Sequence, residues 1–130
     1  MRILIDTHTW LWWLMTPERL NQQALALMAD RDNTILLSAA SALEVVIKYS
    51  AGKLELPVPP AEFIPSRMIR DGIDGLALEH RHALQVTHLP LHHRDPFDRV
   101  IIAQAQIEGT PILTADRQFA AYDVALIQAG

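Results

Sequence analysis

What most restricts the fold of this chain is a recurrence of very short apolar runs, each followed almost at once by a helix-forming stretch. RILID at residues 2–6, TILLS at 34–38 and the run entering ILT before residue 115 are continuously apolar and bounded by turn signals. Runs of that kind read as strands buried on both faces, the kind found in parallel sheets. A weaker run lies between Gly72 and Gly75 and on to residue 78, and a fifth, at 124–128, would close the sheet at an edge.

Helical patterns fill the gaps. Residues 9–15 are apolar on nearly every side, and Pro17 stops them. Asn21 can cap a helix running to about residue 30. Ser41 precedes Glu44 by three residues, the spacing of a capping box, with Leu43, Val46 and Ile47 following at helical spacing and Gly52 as the stop. LELPVPP at 54–60 is too proline-rich for a central strand and reads as a connection into a helix opened by Pro60. A short helix is expected at 80–86. Asp95 caps another, with Pro96 in its first position and Gly109 as its stop. Its inner face is read as Phe97, Val100, Ile101, Gln104 and Ile107. Strands alternating with helices predict a three-layer α/β/α domain, 1–130, around a central, mostly parallel sheet of about five strands.

Bulk properties narrow the class. The chain has 130 residues, half of them hydrophobic, enough for one core without staples. It has no cysteine, so disulfides and thiolate metal sites are excluded, which fits a reducing, cytoplasmic home. Asp6 and His8 interrupt the apolar N-terminus, and no uncharged run is long enough to span a bilayer. The net charge of −4 does not suggest nucleic-acid binding. The bases, however, are all arginine apart from Lys48 and Lys53. Arg94, Arg99 and Arg117 lie among the acids Asp95, Asp98 and Asp116. Guanidinium groups suit phosphate, so these three are candidate phosphate contacts, against the alternative of ordinary surface ion pairing.

In a parallel α/β sheet the ligand crevice lies at the carboxyl ends of the strands, where strand order switches. Asp6 ends the first strand. Asp116 lies just past the fourth. Glu44 and Asp98 fall in the early turns of helices whose N-termini meet the same edge. Topology thus brings four carboxylates, far apart in sequence, to one rim. Each also has a local reading. Asp98 fits a first-turn acid favoured by the helix dipole, Asp95 an N-cap, Glu44 the partner of Ser41, and Asp116 the cap of the turn after it. The conjunction favours a site, because four independent caps have no reason to share a rim. Clustered carboxylates repel and raise one another's pKa unless a cation joins them. Hard divalent ions take oxygen ligands, so Mg2+ or Mn2+ is expected rather than zinc. Such an ion activates water and offsets phosphodiester charge, the logic of metal-dependent nucleases.

Four pieces carry a resemblance to a known family. They are LIDTHTWLWW around Asp6, LLSAASALEVVIKYSAGKLELP around Glu44, LPLHHRDPFDRVIIAQA around Asp98 and ILTADRQF around Asp116. In order and spacing they resemble the PIN domain family and, within it, the VapC-type toxins of toxin–antitoxin pairs. The resemblance implies a PIN-type fold, a Mg2+- or Mn2+-dependent endoribonuclease, an RNA substrate and a cognate antitoxin as partner. It places Asp6, Glu44, Asp98 and Asp116 as the catalytic, metal-site acids. Thr114 would support them by hydrogen bonding, and Asp95 would be structural. Relatives often carry Trp before the helical Glu, where this chain has Leu43.

Two other readings stand beside this one. A phosphatase-like hydrolase with Asp6 as nucleophile wants a second acid two positions on, where His8 sits. A catalytically inactive binding module would have no use for four clustered acids. Trp10, Trp12 and Trp13 cannot all face one core from one short helix, so part of that surface is expected to meet another chain, a second copy in a homodimer or an antitoxin helix. His92 and His93 adjoin the site and read mainly as a polar lead-in to the helix, with contact to RNA as the alternative.

Overall fold

The five strands form a single parallel sheet in the order β3-β2-β1-β4-β5 in a computed structural model that describes residues 1–130. They are β1 (Arg2–Ile5), β2 (Thr34–Ser38), β3 (Asp74–Leu76), β4 (Ile112–Thr114) and β5 (Leu126–Gln128). The helices are α1 (Thr7–Met15), α2 (Gln22–Ala29), α3 (Ala39–Ser50), α4 (Pro60–Asp71), α5 (His80–Gln85) and α6 (Pro96–Glu108), with short 3-10 turns at Pro17–Arg19, Val86–His88 and Arg117–Ala121.

Side chains along a strand alternate between faces, so a fully apolar strand feeds two cores. Ile3 and Ile5 of β1 join Ile35, Leu37 and Leu113 in a core that also takes Trp10 and Leu11 of α1, Ala24 and Met28 of α2, and Phe63 and Ile64 of α4. Leu4 points the other way and joins Leu36, Ile112, Ile101, Ile102 and Phe119. Burying a side chain of this size contributes about 1.5–3 kcal/mol, and the two layers together fix the register Ile5 opposite Leu37 and Leu113. The chain steps outward from β1 through β2 to β3, then returns to the other side of β1 with β4. The switch in strand order therefore falls between β1 and β4, and the carboxyl ends of those two strands frame the crevice.

Local chemistry sets the helix starts. Asn21 caps α2, and Asp95 caps α6 by accepting from the Phe97 and Asp98 amides, with Pro96 in the first helical position. Gly72 and Gly109 end α4 and α6 in the left-handed conformation that glycine adopts without steric cost. The capping box expected at Ser41 and Glu44 does not form. Ser38, the last residue of β2, caps α3 by accepting from the Ala40 amide, so the helix starts earlier than Ser41. Ser41 instead accepts a hydrogen bond from Thr7, and Glu44 pairs with Lys48.

Two further expectations are corrected. The buried side of α6 is centred on Asp98, Ile101, Ile102, Ala103, Gln104 and Ala105, while Phe97, Val100 and Ile107 are half-buried. The helix is more deeply embedded than a one-sided stripe implies. The tryptophans of α1 do not form an open face. Trp10 is wholly buried, Trp12 lies under the Arg19 guanidinium, and the Trp13 indole donates to Asp71. The open apolar stripe is on α3 instead, where Leu43, Val46 and Ile47 are 51%, 40% and 47% exposed.

Candidate metal centre

Asp6 follows the last residue of β1 in extended conformation and caps α1, its Oδ1 accepting from the Thr9 amide at 2.8 Å. Its Oδ2 accepts from the Thr114 hydroxyl at the end of β4. Thr114 Oγ1 in turn accepts from the Asp116 amide at 3.0 Å, so one threonine ties the two strand-end acids together. Asp6 is buried, and burial raises its pKa against the lowering pull of its hydrogen bonds to Thr114 and Thr9.

Asp98 projects from the first turn of α6 and is only 4% exposed. Its pKa is raised to about 8, first by burial and then by the charges of Asp95, Asp6, Glu44 and Asp116. That list of neighbours is the convergence of the rim expressed as electrostatics: Asp6, Glu44 and Asp116 all lie close enough for their charges to act on Asp98. Glu44, in the second turn of α3, is fully buried. Its Oε2 accepts from Lys48 at 2.6 Å, while its Oε1 has no hydrogen-bond partner at all. Asp116 caps the turn that follows it by accepting from the Gln118 amide, leaving Oδ2 to face His93.

His93 completes the cluster, and reading it as a polar lead-in to the helix missed it. It is 7% exposed, with Nε2 2.9 Å from Asp116 Oδ2 and 3.1 Å from Asp98 Oδ2. The one local signal is its place two residues before the cap Asp95, which leaves it at the same helix end as Asp98. The three candidate arginines diverge. Arg94 and Arg117 are exposed and form no ion pair. The Arg99 guanidinium donates to the carbonyls of Val86, Leu89, Pro90 and His93 and to the Tyr122 hydroxyl. It clamps the segment that leads into α6, and that occupies its donors.

Beside these acids lies a cavity of about 240 Å³ lined by Asp6, His8, Thr9, Trp12, Ala115 and Asp116. The donor set fits a hard divalent cation: carboxylate oxygens dominate, one buried Glu44 oxygen lacks any partner, and burial followed by the charges of neighbouring acids raises the Asp98 pKa, with no arginine or lysine paired to it. His93, Asp98 and Asp116 each present a ligand-capable atom, all within 4.8 Å of one another.

Comparison with known proteins agrees with this layout. The PIN domain family model matches residues 3–125. Ribonuclease VapC16 of Mycobacterium tuberculosis is 49% identical over 57 residues, a stretch covering 44% of this chain and 40% of that protein. Ribonuclease VapC22 of the same organism is 25% identical over 117 residues, covering 89% and 88%. Among solved structures, VapBC2 from Rickettsia felis bound to a DNA fragment from their promoter superposes with a TM-score of 0.75 at 15% identity, covering all of both chains. A toxin-antitoxin complex from Klebsiella pneumoniae gives 0.61 at 17% identity over 97% of this chain and 96% of that one. At such identities these structures speak for the fold. The family model spans nearly the whole chain, across all four acids and the strand switch that gathers them, and the chain belongs to the PIN domain family.

Proposed function

We propose that the chain is a Mg2+- or Mn2+-dependent endoribonuclease and the toxin of a toxin–antitoxin pair, acting in the cytoplasm. The observation that carries the catalytic part is the state of Asp98: a carboxylate pushed up to about 8 first by burial and then by the charges of Asp95, Asp6, Glu44 and Asp116, with an unpartnered Glu44 oxygen nearby in the charge network. Asp6, Asp98, Asp116 and Glu44 are the residues that would hold the ion. Bound there, Mg2+ or Mn2+ supplies a Lewis acid that activates water and offsets charge on the phosphodiester. The chain's own contribution is preorganisation. Thr9 and Thr114 hold both oxygens of Asp6, Asp95 fixes the turn that presents Asp98, and Thr114 joins the Asp6 and Asp116 segments. Arg94 and Arg117, exposed and each next in sequence to a residue of the cluster, are the phosphate contacts. Hydrolysis of this kind leaves a 5′-phosphate and a 3′-hydroxyl. It makes no use of the 2′-hydroxyl, so preference for RNA comes from binding.

The names and titles of the relatives support the reading: ribonucleases in the curated proteins, and a toxin-antitoxin complex among the structures. The exposed stripe Leu43, Val46 and Ile47 on α3 is the surface for another chain, the antitoxin or a second copy in a homodimer. The nucleophile reading of Asp6 is disfavoured because both its oxygens are held by hydrogen bonds and no acid sits two positions on. The test is cleavage of RNA with Mg2+ or Mn2+, with EDTA, and by Asp6→Asn and Asp98→Asn. Cleavage that survives EDTA and both substitutions would sink the proposal.

A further inference from the structure

His93 has a geometry that decides its chemistry, and we infer that it is a positioning residue which donates a hydrogen bond from Nε2 to the site's carboxylates and does not ligate the ion. The inference rests on the metal-site reading above and specifies the donor set of that site. His93 Nδ1 lies 3.2 Å from the Asp95 amide nitrogen and accepts its N–H. A backbone amide has no acceptor to offer, so the Nδ1 lone pair must face it, and the neutral ring carries its proton on Nε2. Nε2 then donates to Asp116 Oδ2, 2.9 Å away, with Asp98 Oδ2 at 3.1 Å from the same nitrogen.

The ring has little freedom to do otherwise. The His93 amide donates to the Tyr122 hydroxyl at 2.6 Å, its carbonyl accepts from Arg99, and the ring packs edge-on against buried Phe119 with centroids 5.7 Å apart. Coordination through Nε2 would need the proton moved to Nδ1, which sets two donors against each other at the Asp95 amide. The same Asp95 accepts from the Phe97 and Asp98 amides through its side chain. One residue thus places Asp98 with its carboxylate and sets the tautomer of His93 with its backbone.

The consequence is a site whose protein donors are all oxygen. Imidazole ligation would draw it toward zinc and other nitrogen-seeking ions, whereas carboxylates alone suit Mg2+ and Mn2+. Hydrogen-bonding partners of metal ligands set ligand orientation, and their loss typically costs about 10- to 100-fold in metal affinity.

Three measurements on the full chain test this. Nitrogen-15 NMR of labelled histidine should show His93 protonated at Nε2 and unprotonated at Nδ1, both metal-free and with Mg2+. Pulsed electron paramagnetic resonance of the Mn2+-loaded protein should show no directly bound nitrogen. Titration with Mg2+ should give an affinity about tenfold or more weaker for His93→Ala, largely restored in His93→Gln, whose amide N–H2 can replace the Nε2 donor. A proton on Nδ1, or a bound nitrogen on Mn2+ that disappears in His93→Gln, would overturn the inference while leaving the metal site standing. No binding of either ion to the wild-type chain would overturn both. Should His93→Ala fail to fold, the tautomer and nitrogen-coupling measurements on the wild-type protein still decide.

Discussion

Two clusters in this molecule have nearly the same ingredients and opposite electrostatics. One is Glu79, His82 and Glu108, joining the start of α5 to the end of α6. The other is His93, Asp98 and Asp116 at the opposite end of α6. Each has one buried histidine with Nδ1 accepting from a backbone amide and Nε2 facing carboxylate. In the first, Arg81 reaches both glutamates and Arg2 approaches Glu108. The Glu108 pKa is accordingly lowered, chiefly by its hydrogen bond from His82 and then by the Arg81 charge. In the second no arginine or lysine pairs with Asp98 or Asp116, and burial together with the charges of Asp95, Asp6, Glu44 and Asp116 raises Asp98 to about 8. The same residue types make a structural latch when cations balance them and a candidate cation site when they do not.

The sharpest way to break the comparison is to remove one acid from each cluster. Asp98→Asn should reduce metal-dependent RNA cleavage by about a hundredfold or more. Glu108→Gln should leave cleavage unchanged, as a gel assay on the two variants side by side would show. Equal losses would mean that the clusters do not differ in kind.

The next effect is on stability. Asp98 binds its proton more tightly folded, with a pKa of about 8, than unfolded, near 3.9. Its contribution is therefore fully present below about pH 4 and is lost as pH rises toward 8. Metal-free protein should lose up to about 1 kcal/mol per pH unit in that window, read by denaturant unfolding at pH 5 and pH 8. Asp98→Asn should flatten that slope, leaving the part due to Asp6, whose pKa is also raised. Saturating Mg2+ should stabilise the wild type more at pH 8 than at pH 5, because the ion takes the place of the proton. A metal-free protein more stable at pH 8 than at pH 5 would contradict the unbalanced charge assigned to this cluster.

Smaller still is the effect expected at the latch. Glu108→Gln should cost about 1 kcal/mol or less, and the loss should shrink in high salt, since partly exposed ion pairs are screened. On the open side of α3, Leu43→Lys should leave the melting temperature within a few degrees of the wild type while weakening association with a partner chain, measured by light scattering. A large fall in melting temperature would show that the stripe is part of the core.

The sequence was most informative where local chemistry and topology agree. Strand ends at Asp6 and Thr114, the cap at Asp95 with Pro96 behind it, and the stop at Gly109 are written in residues a few positions apart. Knowing that parallel strands share one carboxyl edge was enough to bring Asp6, Glu44, Asp98 and Asp116 to a common rim. Legibility ended where a residue had two uses. Ser38 is both the last residue of β2 and the cap of α3, which hid the true helix start and made Ser41 look like a cap. Periodicity marked Leu43, Val46 and Ile47 as one stripe, but period alone does not say whether a stripe is covered. The tryptophans of α1 look overabundant for one core until α4 supplies Asp71 and the Pro17–Arg19 turn supplies Arg19.

Sequence by itself determined the class of fold and the acids brought to its carboxyl edge, because hydrophobic period, capping and strand-end placement act over a few residues each. Tertiary structure decided which groups sit together and in what electrical state. It set His93 between Asp98 and Asp116, engaged Arg99 as a clamp, left Glu44 Oε1 without a partner and raised the pKa of Asp98. Those outcomes depend on distances of about 3 Å between segments far apart in the chain and on how much water reaches them, and neither is encoded in any short window of residues.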